Sequence, residues 1–143
     1  MTYVDKDGEK KTPYIIHRSS IGCYERTLAM LIEKYAGALP TWLAPVQAKI
    51  LPISDKYNDY AEEVSKTLLN KGVRVEVDYR AEKIGYKIRE ARLERSPYII
   101  VVGEKEAENK EVSVRSRKHG DEGALSLESF VNRITQEIAS KEN

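Results

Sequence analysis

The chain has 143 residues, with 24 basic and 23 acidic side chains for a formal net charge of +1, and one cysteine. That length holds one ordinary domain, or one domain with an extra piece, and can bury a real core without cross-links; one cysteine excludes an intramolecular disulfide. It shows neither a basic-then-apolar leader nor a long apolar run, so the expectation is a soluble cytoplasmic protein with no membrane partner.

Residues 2–12 read as a polar strand and a turn around Asp7-Gly8. Pro13-Tyr14-Ile15-Ile16 is apolar and short, which predicts a buried strand rather than a helix. From Ser19 to Tyr35, Leu28, Leu31, Ile32 and Tyr35 recur at three- and four-residue spacing and form one helical stripe. Gly37 is a fitting C-cap and Pro40 ends the helix. Pro40 and Pro45 predict an extended boundary over residues 38–45.

Beyond it, residues 48–53 read as a strand, and Ser54 or Asp55 can cap a helix whose inner face is Tyr57, Ala61, Val64 and Leu68, ending at Gly72. Residues 73–80 alternate apolar and polar with period two, the pattern of a half-exposed strand. A helix over 83–95 buries Ile84, Ile88 and Ala91. Tyr98-Ile99-Ile100-Val101-Val102 is apolar on both faces, as a central covered strand requires. Residues 106–110 read as a polar turn, 112–117 as an alternating strand and 120–123 as a loop. Ser126 then caps a last helix with Leu127, Phe130, Val131, Ile134 and Ile138 inward. This order predicts a mixed α/β sheet covered by helices.

The charge is uneven. Residues 80–95 hold six basic side chains (Arg80, Lys83, Lys87, Arg89, Arg92, Arg95) against three acidic ones, and residues 110–118 hold four against one. Such local excess suits a nucleic-acid contact despite overall neutrality; charge alone fits a solvated helix face equally well. From spacing alone Arg26 reads as a surface arginine paired with Glu25 or Glu33, and His17 as a partly buried imidazole. Nine tyrosines against one phenylalanine suit side chains buried with the hydroxyl at the surface. Tyr57 and Tyr98 are expected in the core and Tyr79 is the candidate for stacking. No Gly-rich phosphate loop follows the first strand, which disfavours a small-molecule-binding doubly wound domain.

Gly22-Cys23-Tyr24-Glu25-Arg26, at the start of a helix that follows a strand, resembles motif 3 of the class II aminoacyl-tRNA synthetases. Trp42-Leu43-Ala44-Pro45-Val46-Gln47, Glu82-Lys83-Ile84-Gly85-Tyr86-Lys87-Ile88-Arg89 and Val112-Ser113-Val114-Arg115 are similar to blocks of the threonyl branch, so the resemblance spans nearly the whole chain. It implies a class IIa anticodon-binding domain over 45–143, a mixed, mostly parallel five-stranded sheet covered by three helices. Over 1–44 it implies a strand-helix fragment of the class II catalytic core. The parent enzyme it implies is a homodimeric ligase that activates threonine with ATP and charges tRNA(Thr), using zinc, ATP and magnesium.

By the same resemblance Arg26 holds the ATP γ-phosphate through the bidentate fork a guanidinium provides, and Gly22 lets the backbone pass close to the nucleotide. His17 matches one of three zinc ligands, the zinc taking the amino and hydroxyl groups of threonine. The other two ligands, a cysteine and a histidine, belong to sequence not in this chain, and one imidazole does not make a catalytic site. No cofactor is therefore expected on this chain itself. Arg80, Lys83, Arg95, Glu106 and Arg115 match positions that contact the anticodon loop, whose unstacked bases can be read on their edges. One position departs from the pattern: those enzymes carry asparagine after the residue matching Arg80, and this chain has Ala81. Motifs 1 and 2 are absent from these residues, so the chain is expected to bind tRNA, with no DNA partner, and not to aminoacylate. The alternative is a non-catalytic, synthetase-derived RNA-binding or protein-interaction module.

Overall fold

The computed structural model describes residues 1–141, and they form two compact units whose division falls after Met30. In the first unit, β1 (Tyr3–Val4) and β2 (Lys10–Lys11) form an antiparallel hairpin. Its turn contains Gly8 at φ +82°, and Asp5 accepts from the amides of Asp7 and Glu9. The helix α1 (Tyr24–Tyr35) begins after Gly22, whose φ of +78° favours glycine. The helix is therefore shorter at its start than the pattern from Ser19 predicted.

The buried strand expected at residues 13–16 is not formed. These residues have no regular structure, and Tyr14, Ile15 and Ile16 are exposed. The hairpin strands pair only with each other, and an apolar run cannot become a covered strand without neighbours to accept its amides. On α1, Leu28 is exposed as well, whereas Leu31 is half-buried.

The second unit opens on the end of α1, where Gly37, at φ +77°, donates to the Ile32 carbonyl. Residues 38–45 are not extended as predicted. The Pro40 carbonyl accepts from the amides of Leu43 and Ala44, and Thr41 and Ala44 are buried. A turn satisfies backbone groups that an extended segment packed on protein would leave orphaned.

The sheet is built from β3 (Ala48–Pro52), β4 (Val75–Val77), β5 (Tyr98–Val102), β6 (Glu111–Ser116) and β7 (Gly120–Ser126), in the order β4-β3-β5-β6-β7. β3 runs parallel to β4 and to β5, while β6 is antiparallel to β5 and to β7. Four of the five strands therefore point the same way, the mixed, mostly parallel sheet that the resemblance implied.

A one-turn 3-10 helix (Asp55–Tyr57) leads into α2 (Asn58–Asn70), which buries Tyr60, Ala61, Val64 and Leu68; Tyr57 is only half-buried. With α5 (Leu127–Ser140) it packs against Ala48, Ile50, Tyr98, Ile100, Val102, Val112 and Val114. The other face carries α3 (Ile84–Leu93), whose Ile84, Ile88 and Ala91 meet Leu51 and Ile99. Alternate residues of β3 and β5 thus serve opposite layers, which is why every residue of both strands is buried, Lys49 of β3 included.

Two expectations change near the C-terminus. Residues 106–110, predicted as a turn, lie largely in a short helix, α4 (Glu104–Asn109), closed by Lys110 at φ +54°. Residues 120–123, predicted as a loop, begin β7; the hairpin turns at residues 117–119, and a bulge displaces the register between Val114 and Arg115. Gly120 and Gly123 at φ +76° and +78° permit that irregular backbone. Ser126 caps α5 as expected, accepting from the Ser129 amide at 3.2 Å. No helix among the described residues is long and apolar enough to cross a membrane.

Candidate nucleic-acid interface

The predicted RNA-contacting side chains divide between the two ends of β5. Arg95 follows α3 and immediately precedes the strand, with its backbone at φ +58°. Arg115, on β6, lies opposite Ile99 near the same end. The two line one cavity of about 250 Å³ together with Arg92, Arg117, Ile99, Ser96, Ser116 and Gly120. Arg115 is held by Asp121 at 2.6 Å. Arg117 donates to the carbonyls of Arg95 at 2.7 Å and Leu39 at 2.6 Å, so the turn of the hairpin is fastened to the end of α3. Burial, then the nearby Arg95, disfavours the charge on Arg117.

Lys83 and Glu106 sit at the other end. Lys83 is the exposed N-cap residue of α3, and its ammonium has no partner among the described residues. Glu106 lies in α4, directly beyond the C-terminal end of β5, and its carboxylate accepts from the Gly103 amide at 3.0 Å. A strand rises about 3.3 Å per residue, so five residues of β5 put roughly 15 Å between the two groups of side chains. Gly103 is confined in that corner: a β-carbon there would meet Ile53 Cδ1 at 2.7 Å and Glu106 Oε2 at 3.2 Å.

Arg80 is committed within the protein. Its Nε and Nη2 donate to the two oxygens of the buried Asp78 at 2.9 and 2.7 Å, and Nη2 also bonds Glu90. The Arg80 hydrogen bonds hold the Asp78 carboxyl down to about 2 despite its burial. Beneath this pair the Lys87 ammonium donates to the carbonyls of Asp78 at 2.9 Å and Pro52 at 3.3 Å. Lys87 is 3 % exposed. Counting it as part of a cationic surface missed this; the signal was its place with Ile84, Ile88 and Ala91 on the inward face of the helix. Glu90 and Glu94, which a solvated face would leave in water, bond Arg80 and Lys49 respectively. Lys49 stays charged because Glu94 and Glu76 outweigh its desolvation. Tyr79, the stacking candidate, is exposed, and Tyr98 is in the core with its ring edge against Phe130. Ala81 is exposed and offers only main-chain groups.

The residues matched to the nucleotide and the metal lie in the first unit. His17, Gly22 and Arg26 are all exposed. Glu25, expected as a partner for Arg26, accepts instead from the Cys23 thiol at 2.9 Å, which holds its carboxyl below the usual range. Among the described residues no three His, Cys, Asp or Glu side chains cluster as metal ligands. One exposed imidazole and one exposed guanidinium do not fit a zinc or nucleotide site by themselves.

A family model described as the anticodon binding domain matches residues 47–137. The threonine–tRNA ligase of Clostridium perfringens (strain SM101 / Type A) is 80% identical over 143 residues, which is 100% of this chain and 22% of that protein. That of Clostridium botulinum (strain Eklund 17B / Type B) is 79% identical over 142 residues, covering 99% and 22%. That of Acetivibrio thermocellus is 60% identical over 143 residues, again 100% and 22%. The chain thus spans about a fifth of the length of the curated relatives it matches. Among solved structures, the RNA binding domain of threonyl-tRNA synthetase from Cryptosporidium parvum Iowa II superposes with a TM-score of 0.73 at 38% identity, covering 78% of this chain and 28% of that one.

Proposed function

The chain belongs to the anticodon binding domain family, and from that premise we propose that it is the C-terminal part of a threonine–tRNA ligase, binding the anticodon loop of tRNA(Thr). The observation that carries this reading is the 80% identity to a threonine–tRNA ligase over every residue of the chain. Residues 45–143 are the anticodon-binding domain and residues 1–44 the end of the catalytic domain. Lys83, Arg95, Glu106 and Arg115 contact the loop. Arg95 and Arg115 do so from one cavity, and Lys83 and Glu106 from the opposite end of β5. Arg80, tied to Asp78 and Glu90, supports the loop that leads to Lys83. At Ala81 any base contact is made by the main chain.

The whole enzyme is a cytosolic homodimer that activates threonine with ATP and charges tRNA(Thr). In it His17 is one of the zinc ligands, and Gly22 and Arg26 serve the nucleotide, ATP arriving with magnesium. Zinc supplies a Lewis acid that threonine's hydroxyl satisfies and a methyl group does not. None of this chemistry is assigned to the chain alone.

The test is binding of labelled anticodon stem-loops in increasing salt, with a matched loop and loops altered at each anticodon base. Preferential binding of the threonine loop supports the reading. Equal binding of all loops favours the non-catalytic module, a reading to which Ala81 lends support. Threonine-dependent exchange of pyrophosphate into ATP by the chain alone would contradict the division of labour between this chain and the rest of the enzyme.

A further inference from the structure

We propose that the four-arginine cavity beside the N-terminal end of β5 is a phosphate site, with Arg92 and Arg117 acting on the anion alongside Arg95 and Arg115. The inference rests on the RNA-binding reading above and gives the cavity a different task from base reading, that of gripping a backbone phosphodiester.

Three observations carry it. First, four arginine residues line one cavity of about 250 Å³, and no lining residue is acidic. One carboxylate, Asp121, reaches one of them, Arg115. Arg117 is bonded to two main-chain carbonyls, which are neutral. Like charges gathered around one concavity repel, and an anion among them relieves the repulsion.

Second, the Nε–H of Arg115 is buried and finds no acceptor among the described residues. A buried donor left unpaired is costly and rare in folded proteins. An anion bound in the cavity that Arg115 lines provides the missing acceptor.

Third, the lining suits phosphate better than a base. Ile99 is the one apolar side chain present and no aromatic ring lines the cavity, so there is no plane on which a base would stack. Guanidinium forks match the oxygens of a phosphate in pairs, and Ser96 adds a hydroxyl to the lining. The walls are also fixed beforehand. Arg95 holds a left-handed backbone conformation, uncommon for a residue with a side chain, and its carbonyl is one of the two that Arg117 bonds.

The experiment has two arms, both on the 143-residue chain. In the first, matched and mismatched stem-loops are titrated between about 50 and 200 mM salt, the range over which phosphate contacts are resolved. Arg92→Gln is expected to weaken both loops by the same factor, roughly tenfold if one charge-assisted pair is lost. It should also reduce the slope of log affinity against log salt by about one. Arg117→Lys, which keeps the charge but not the fork, should likewise weaken both loops equally. In the second, inorganic phosphate is titrated while the arginine Nε–H resonances are followed by NMR. Saturable shifts of Arg92, Arg95, Arg115 and Arg117 are expected, with Arg92→Gln lowering the phosphate affinity.

An unchanged salt slope in Arg92→Gln with RNA bound overturns the proposal, as does phosphate that moves none of the four resonances. Phosphate shifts without any RNA binding would support the anion site while defeating the anticodon reading, so the two failures are distinguishable.

Discussion

Lys87 and Asp78 are hydrogen-bonded through the main chain: the buried ammonium donates to the Asp78 carbonyl at 2.9 Å, while the Asp78 carboxylate bonds Arg80. One residue is thereby gripped twice, by its backbone from α3 and by its side chain from the loop that follows β4. The result is a fixed start for residues 79–83, the segment that delivers Lys83.

Replacing Lys87 with methionine keeps the volume and removes the donors to two carbonyls. Their loss is expected to lower stability by about 1–3 kcal/mol, read as a reduced denaturation midpoint with an unchanged slope in urea. A variant as stable as the parent would show that the ammonium is not needed there. Because Lys87 also favours the Asp78 anion, acid unfolding of this variant should begin at a slightly higher pH.

Asp78 sets a second expectation. Its folded pKa, about 2, lies below the ordinary value of 3.8, chiefly through the Arg80 hydrogen bonds. A group depressed on folding contributes stability that is present above the unfolded value and lost as pH falls through the folded one. Stability should therefore decline between about pH 4 and 2 in the parent. Asp78→Asn should flatten that part of the acid limb while lowering stability at pH 7 by about 1.5–3 kcal/mol, the range for hydrogen bonds to charged groups.

Gly103→Ala should be destabilising, by about 1 kcal/mol as a mild case of overpacking. The backbone there, φ −137°, accommodates any residue, so the effect comes from the β-carbon meeting Ile53. Ile53 is half-exposed and can move, which keeps the cost small. Ile53→Ala should recover most of the loss in the double variant; a double-mutant cycle with no coupling would rule out this contact as the cause.

Glu137 joins three elements, accepting from the Thr41 hydroxyl at 2.6 Å and the Tyr98 hydroxyl at 2.5 Å. Glu137→Ala leaves both donors without their acceptor and should cost about 3 kcal/mol, the low end for two hydrogen bonds to a charged group at a half-buried site. Tyr98→Phe removes one of them and should cost less. Burial and Glu137 together push the Tyr98 hydroxyl well above its ordinary range, and burial raises Tyr60 to about 12, so spectrophotometric titration should find tyrosines that ionise late, Tyr98 only when the protein unfolds.

The sequence made the sheet and its helices legible where one period ran undisturbed. α2, α5 and β5 follow directly from Ala61, Val64 and Leu68, from Phe130, Val131 and Ile134, and from five consecutive apolar residues. It was less informative where a residue's role depends on a neighbour distant in the chain. Ile15 and Ile16 have the chemistry of a strand whether or not another strand is beside them. Arg80 reads as an available cation until Asp78 and Glu90 are seen to bond it. The six residues of α4 are too few for a helical period to show. Arg95 and Arg115, twenty positions apart, share a cavity because α3 ends where β6 passes Ile99, a relation no local pattern contains.

The irregularity in the β6–β7 ladder decides which acid each of two arginines receives. Continuing the pairing of Val114 with Gly123 without interruption would set Glu122 across from Arg115 and Asp121 across from Ser116. The extra residue instead gives Asp121 to Arg115 and frees Glu122 for Arg133 on the opposite layer. Removing the single codon between positions 121 and 123 would leave one carboxylate for two guanidinium ions.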